Sequence, residues 1–401
     1  MRKLQVSIAT VLTSLSLACA AAPADPEAAR KLHFDAIVVD THDDTTQRLL
    51  DPAFDLGVRH TDGHIDIPRM REGGLDAIFF SIWVPGTVTG AEAVRRANEQ
   101  IAAVKRQVAA HPQDLVLVTT AAGVRKAAAE GRIAALMGME GGHMIANDLA
   151  NLRHFFEEGV RYMTLTHSVN DDWADSSTDT PRNAGLNDFG REVVKEMNRL
   201  GMMVDISHVS DAVFDDVMAL STAPVIASHS SARAISRTPR NMNDRMIREL
   251  AAHGGVMQVN YYAAFLSQAF NDALKANEQR IGKAIEAVSI ERCGDNDGCQ
   301  IATGGKLVRE RVEGGTLPRV EWTAIVDHIA HAATVGNVAN VGLGSDFDGA
   351  DMPYGMEDVS HLPTITAELL RRGYTPKQVR GILGENLLRV MAKVEAVAAK
   401  H

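Results

Sequence analysis

Short apolar runs rich in Val, Ile, Leu and Met recur along the chain, each closed by turn residues and followed by a longer stretch of helical periodicity. The runs that read as strands cover 36–42, 76–83, 133–140, 160–167, 201–207, 224–229, 254–260 and 340–346. They are continuous, without in/out alternation, as expected where helices cover both faces of a parallel sheet. Eight strands alternating with helices predict an α/β fold, a (β/α)8 TIM-type barrel. A ninth run, 115–119, lies outside this scheme and reads as a hairpin or an added strand. The last helix starts at Thr375-Pro376, where proline is tolerated in the first turn, and includes Gly384.

Between Tyr262 and Pro318 the spacing breaks, giving a long insertion between the last two strands. It holds a polar helix-like stretch, a cysteine loop and a Gly-rich segment, and reads equally as a lid over the barrel mouth or as a surface ornament. No repeat, low-complexity tract or Pro/Ser linker divides the rest, so residues 21–401 are expected to form a single domain.

Composition narrows the picture. With 401 residues, 45% apolar and 23% charged, the chain can bury a large core, which excludes a disordered protein. Its net charge of −10 and the absence of a basic run argue against a nucleic-acid partner. Arg2 and Lys3 precede an uncharged stretch from Leu4 to Ala20 that ends Ala-Cys-Ala, the pattern of an export leader over residues 1–20, cleaved there or as late as 22. A periplasmic or secreted product is expected. Lipid anchoring at Cys19 is the weaker alternative, because Leu17 sits one position from where a lipobox wants it. After cleavage only Cys293 and Cys299 remain, and in an oxidising compartment they are expected to pair. No later run approaches about 20 uninterrupted apolar residues, so no integral membrane segment is expected.

The ends of the expected strands carry His42 and Asp44, Glu140, His167, His208, His229 and Asp346, residues that a buried apolar strand has no reason to hold. A barrel gathers all carboxyl ends of its strands at one mouth, so these residues should become neighbours. In Asp40-Thr-His42-Asp-Asp44 a period of two puts Asp40, His42 and Asp44 on one side, so His42 and Asp44 can bind one ion while Asp40 supports a ligand histidine from behind. Glu140 ends an apolar run and cannot stay buried without a partner. Val204–His208 and Val225–His229 are two apolar runs ending in the same Ser-His pair. Together these five can hold two Zn²⁺-like ions if Glu140 bridges them. In Gly342–Gly349 alternation puts Asp346 and Asp348 on one side, either able to serve as general base, and Arg233, Arg237 and Arg240 are equally basic.

In order along the chain, Val39–Asp44, Met139–His143, Leu165–Ser168 with Trp173–Asp175, Asp205–His208, Ser228–Ser231, Pro239–Asn241 and Gly344–Gly349 form a specific set. From Asp35 to about Val390 the pattern resembles the membrane dipeptidase (renal dipeptidase) family, peptidase family M19, binuclear zinc peptidases of the amidohydrolase-type barrels. The resemblance implies a metal-dependent hydrolase architecture with two Zn²⁺ per chain, His42 and Asp44 on one ion, His208 and His229 on the other, and Glu140 bridging. It further implies that Asp346, not Asp348, handles the proton of the attacking water, that His167 contacts the scissile carbonyl, that Arg240 binds the substrate's C-terminal carboxylate, and that the chain forms a homodimer. The expected reaction is hydrolysis of dipeptides by a hydroxide held between the two zinc ions, with acceptance of a D-residue at the C-terminal position left open. An N-acyl (D-)amino-acid deacylase on the same site is the alternative. A non-catalytic periplasmic binding protein is more remote, since every proposed ligand, the base and the arginine are present. The extra cysteines and lipid-anchor signal of mammalian members are missing, and residues 263–317 match no family motif.

Overall fold

The computed structural model of the chain describes residues 25–294 and 296–399. The leader expected at 1–20, with Cys19, lies outside the described residues. All eight expected strands form: β1 (Val39–Asp43), β2 (Ala77–Trp83), then, after an added strand β3 (Leu115–Leu117), β4 (Ile133–Glu140), β5 (Val160–Thr164), β6 (Met203–Asp205), β7 (Ile226–Ser230), β8 (Val256–Val259) and β9 (Val341–Leu343). Every pairing is parallel, in the order β1-β2-β4-β5-β6-β7-β8-β9. The ninth apolar run is therefore an added strand: β3 pairs with residues 133–135 of β4, and β5 takes over the same flank from Met137 onward.

Closure comes from the segment after β9. Asp43 bridges to Phe347, the Asp44 N–H donates to the Phe347 carbonyl (2.8 Å), and the Asp346 N–H donates to the His42 carbonyl (3.0 Å). This seam joins the first strand to the last and carries Asp44 and Asp346 to one place. β9 stops at Leu343, three residues short of the expected end, and the chain then passes so close to β7 that a Cβ on Gly344 would lie 2.0 Å from the Ser228 carbonyl oxygen.

The period-two strand geometry divides the core. Ala77, Phe79, Leu136, Tyr162, Met203 and Ile226 gather with Leu387, Leu388 and Met391 of the helix Asn386–Ala398. Their strand neighbours Ile78, Phe80, Ala135, Met137 and Val204 pack into a second cluster with the surrounding helices. The expected last helix is interrupted: a capped turn Pro376–Arg380 leads through a π-helical turn, Gly381–Glu385, into Asn386–Ala398. Gly384 sits in that turn because a Cβ would meet the Ile37 carbonyl at 2.5 Å.

The insertion between β8 and β9 is helical. Gln268–Cys293 and Asp297–Glu313 pack side by side as a hairpin, and the expected Gly-rich segment, Gly304-Gly305, lies inside the second helix. Cys293 and Cys299 are joined across the bend. Gly298 lies against the backbone of Gln47 and Arg48 at the barrel rim, so the hairpin is a lid and not an ornament. Among the described residues no helix is long and apolar enough to cross a membrane.

Candidate active site

The strand-end residues converge as the barrel geometry requires. Glu140, from β4, is the hub: its Oε1 lies 2.9 Å from His208 Nε2, 3.3 Å from His229 Nε2 and 3.7 Å from His167 Nε2, and its Oε2 lies 3.5 Å from His42 Nε2. His42 Nε2 is also 3.6 Å from Asp44 Oδ2 and 4.0 Å from Asp346 Oδ1. Three sets of donor atoms lie close enough to share an ion: His42, Glu140 and His229; Glu140, His167 and His208; and His42, Asp44 and Asp346. Nitrogen and carboxylate oxygen in such numbers suit a zinc-like cation.

Hydroxyl groups aim the histidines. Tyr162 donates to the Thr41 carbonyl (3.0 Å) and therefore accepts from His42 Nδ1 (2.8 Å), which leaves Nε2 facing the carboxylates. Ser228 does the same for His229, donating to Asp205 (2.5 Å) and taking the His229 Nδ1 hydrogen (2.8 Å). His42 Nε2 is buried without a hydrogen-bond partner, an orphan that a bound cation would satisfy. The Tyr162 ring reaches this position only because β4 has Gly138 beneath it, where a Cβ would lie 1.9 Å from the ring.

The electrostatics agree with a cation site. Burial disfavours charge on His42, but Tyr162, Glu140 and Asp44 outweigh it and draw its pKa well above the usual imidazole range. Burial lowers His229 to about 4, and lowers His208 well below the ordinary value, so both keep lone pairs available. Glu140 is pushed up by burial yet held well below the carboxylate range by the surrounding histidines. Asp346 is raised by burial and by the neighbouring Asp44 and Glu140 carboxylates.

Two choices that spacing left open are separated by contacts. Both Asp346 (φ 66°) and Asp348 (φ 60°) adopt left-handed backbone conformations, so strand alternation does not extend to them. Asp346 faces the cage, with Asn260 donating to its Oδ2 (2.8 Å). Asp348 turns away and accepts from the Thr45 hydroxyl (2.6 Å) and the His64 N–H (2.7 Å). Of the three arginines, Arg233 is paired with Asp211 (2.7 and 2.8 Å) and Arg237 leans on Gln268 at the surface. Arg240 is buried at the edge of the cage, its Nη2 donating to the His229 carbonyl (3.2 Å), while Nε and Nη1 have no partner. Asp40 does not support a histidine ring as expected. Its Oδ1 accepts the backbone N–H groups of His42 (3.2 Å) and Ser345 (2.9 Å), so it fixes the barrel seam.

The cage opens into a chamber of about 1300 Å³ roofed by the lid. The family model for membrane dipeptidases, peptidase family M19, matches residues 26–401. The chain belongs to the membrane dipeptidase family. Among solved structures it is similar to a metallopeptidase of Rhodobacter sphaeroides liganded with a phosphinate mimic of the dipeptide L-Ala-D-Ala, at 27% identity and a TM-score of 0.74 over 90% of this chain and 100% of that one. It is similar to the M19 metallopeptidase dipeptidase AC (28%, TM-score 0.71, 89% and 98%) and to the probable dipeptidase PvdM of Pseudomonas aeruginosa (25%, TM-score 0.76, 93% and 99%).

As a member of this family the chain is a metallo-dipeptidase, a hydrolase. Sequence reasoning missed Tyr162, Asp205 and Asn260, which aim or brace the cage. Asp205 and Asn260 carried a signal, each being a polar residue at or near the end of an apolar run, but no role was assigned to either, and Tyr162 had only Gly138, a gap in the run 133–140, as a hint.

Proposed function

We propose that the chain hydrolyses the peptide bond of dipeptides at this cage, with His42, Asp44, Glu140, His208 and His229 holding two zinc ions and Glu140 shared between them. The observation that carries the reading is the pairing of a five-donor cage with the unpartnered Arg240 guanidinium at its edge. When bound, zinc supplies Lewis acidity and brings the ionisation of water within reach of neutral pH.

The protein's own groups do the rest. Arg240 takes the substrate's terminal carboxylate in a two-pronged contact, which orients the scissile bond over the cage and demands a free C-terminus. The Ser168 hydroxyl lies 2.8 Å from His167 Nδ1, and in the tautomer that takes its hydrogen there the Nε2 hydrogen is left for the carbonyl oxygen as charge develops. Burial lowers the His167 pKa, which keeps the ring neutral for that task. Asp346, held by Asn260, accepts the proton of the attacking water and delivers it to the leaving amine. The relative that binds a mimic of L-Ala-D-Ala supports acceptance of a D-residue at the C-terminal position. The lid disulfide supports export to an oxidising compartment, with the leader at 1–20 removed.

The test is hydrolysis of L,L- and L,D-dipeptides before and after chelation, with zinc measured on the same sample. Metal-dependent cleavage of both series is expected, at two zinc ions per chain. Cleavage indifferent to chelation overturns the reading, and release of acyl groups from N-acetyl amino acids in place of dipeptide cleavage identifies a deacylase.

A further inference from the structure

The carboxylates of the chamber beyond the cage sort by partner. Asp62 accepts from Arg48, Asp348 from Thr45, Asp358 from the Ser360 hydroxyl, Glu357 from the Gly355 N–H and Asp51 from the Ala53 N–H. Asp351, which also lines the chamber, receives no hydrogen bond to its side chain from any described residue. Its position is nevertheless fixed, because its carbonyl accepts the Ala263 N–H (3.0 Å) at the root of the lid.

Nothing nearby neutralises it at contact distance. Arg309 of the lid attracts Asp351 from a distance, but its guanidinium stacks on Tyr354 at 4.0 Å and lies 3.6 Å from Glu357. The lid lies close over the carboxylate, a Cβ on Gly305 falling 3.4 Å from Oδ1, so an incoming group reaches the half-buried Asp351 from the chamber. Burial pushes the Asp351 carboxyl up to about 7, as expected for an anion short of a cation. The Tyr262 phenol feels both Asp351 and Asp346, so this corner adjoins the proposed reaction centre.

We propose that Asp351 forms a subsite for a cationic side chain of the substrate, so that dipeptides carrying lysine or another basic residue are preferred over uncharged ones of equal length. The inference rests on the dipeptidase reading and names the substrate class for it. A lysine ammonium entering the chamber supplies the missing donors and meets an ionised partner sheltered from bulk water.

The experiment compares kcat/KM for Lys-Ala with norleucyl-Ala, and for Ala-Lys with Ala-norleucine, on the zinc-loaded full chain. A preference for lysine of about ten- to a hundredfold is expected in one of the two series at pH 8. It should narrow as the pH falls below 7, and because the cage serves both peptides alike, its own titration cancels in the ratio. Asp351→Asn should bring the ratio close to one, and Asp351→Glu should recover part of it, with thermal melting recorded for each variant. Equal cleavage of the lysine and norleucine peptides by the unmodified protein overturns the subsite alone, as does a ratio that Asp351→Asn leaves unchanged. Cleavage of none of the four peptides overturns the subsite together with the reading on which it rests.

Discussion

A histidine that is to meet a cation must present a lone pair, and the hydroxyls of Tyr162 and Ser228 decide which nitrogen keeps it. Tyr162→Phe removes the acceptor for His42 Nδ1 and the donor to the Thr41 carbonyl without altering the ring that fills the space over Gly138. Metal affinity should fall by roughly ten- to a hundredfold, read by competition with a chelator of known affinity, while the fold loses only about 1–3 kcal/mol. Arg240→Ala tests the other end of the site. It should raise KM for dipeptides by about a hundredfold and leave C-terminally amidated analogues, already poor substrates, little changed; an equal loss on both would remove Arg240 from carboxylate binding. The cage residues were legible because a barrel strand has no reason to end in His, Asp or Glu. The groups that aim them were not, because tyrosine and serine inside apolar strands look like ordinary core and capping residues until three-dimensional contact shows what they touch. Asp346 and Asp348 could not be separated by spacing, because a left-handed turn replaces the strand alternation on which spacing depends.

At the scale of elements, strands were legible wherever burial is two-sided, since short apolar runs rich in Val, Ile and Leu, each bounded by turn residues, are too brief for buried helices. The lid was not, because its helices carry polar faces and place Gly304 and Gly305 in mid-helix, where sequence alone suggests a loop. Those glycines have a measurable consequence. A glycine within a helix is less favourable than alanine by about 1 kcal/mol, so the second lid helix is weaker than its length suggests. Gly304 has ordinary clearance, its Cβ position being 3.5 Å from Ile285 Cγ2, and its backbone is not left-handed. Gly304→Ala should therefore raise hydrogen-exchange protection across Asp297–Glu313 by roughly fivefold, at about 1 kcal/mol, without changing protection in the barrel strands. Faster exchange in the variant would show that the lid requires glycine for packing and not for looseness. The disulfide acts at the same scale, closing the bend between the two helices against the rim at Gln47.

The whole molecule depends on a few buried groups that join distant parts of the chain, and His328 is one whose protonation can be followed. It lies on the helix Thr323–Val335, fully buried, with Nδ1 accepting the Ala232 N–H (2.9 Å) just beyond β7 and Nε2 donating to the Leu266 carbonyl (3.1 Å) at the root of the lid. This arrangement needs the neutral ring: a proton on Nδ1 would set two N–H groups against each other. Burial, only partly offset by the bond to Leu266, lowers the pKa to about 4 from the ordinary 6.5. The unfolded chain therefore binds more protons than the folded one between those values, so His328 contributes full stability above pH 6.5 and loses it progressively as pH falls towards 4. The shift corresponds to about 3 kcal/mol across that window. Asp76, raised to about 6 by burial, has the opposite sign, since the folded state then holds the extra proton as pH falls. The total curve mixes these with other shifted groups, His229 and Asp351 among them, so the contribution of His328 is read from a difference. His328→Asn keeps an acceptor for Ala232 but cannot titrate in this range, and although it is less stable at pH 8, its unfolding free energy should fall less steeply between pH 6.5 and 4 than that of the unmodified protein. Parallel curves in urea melts across that window would mean that the lid root and β7 separate locally before His328 takes up its proton.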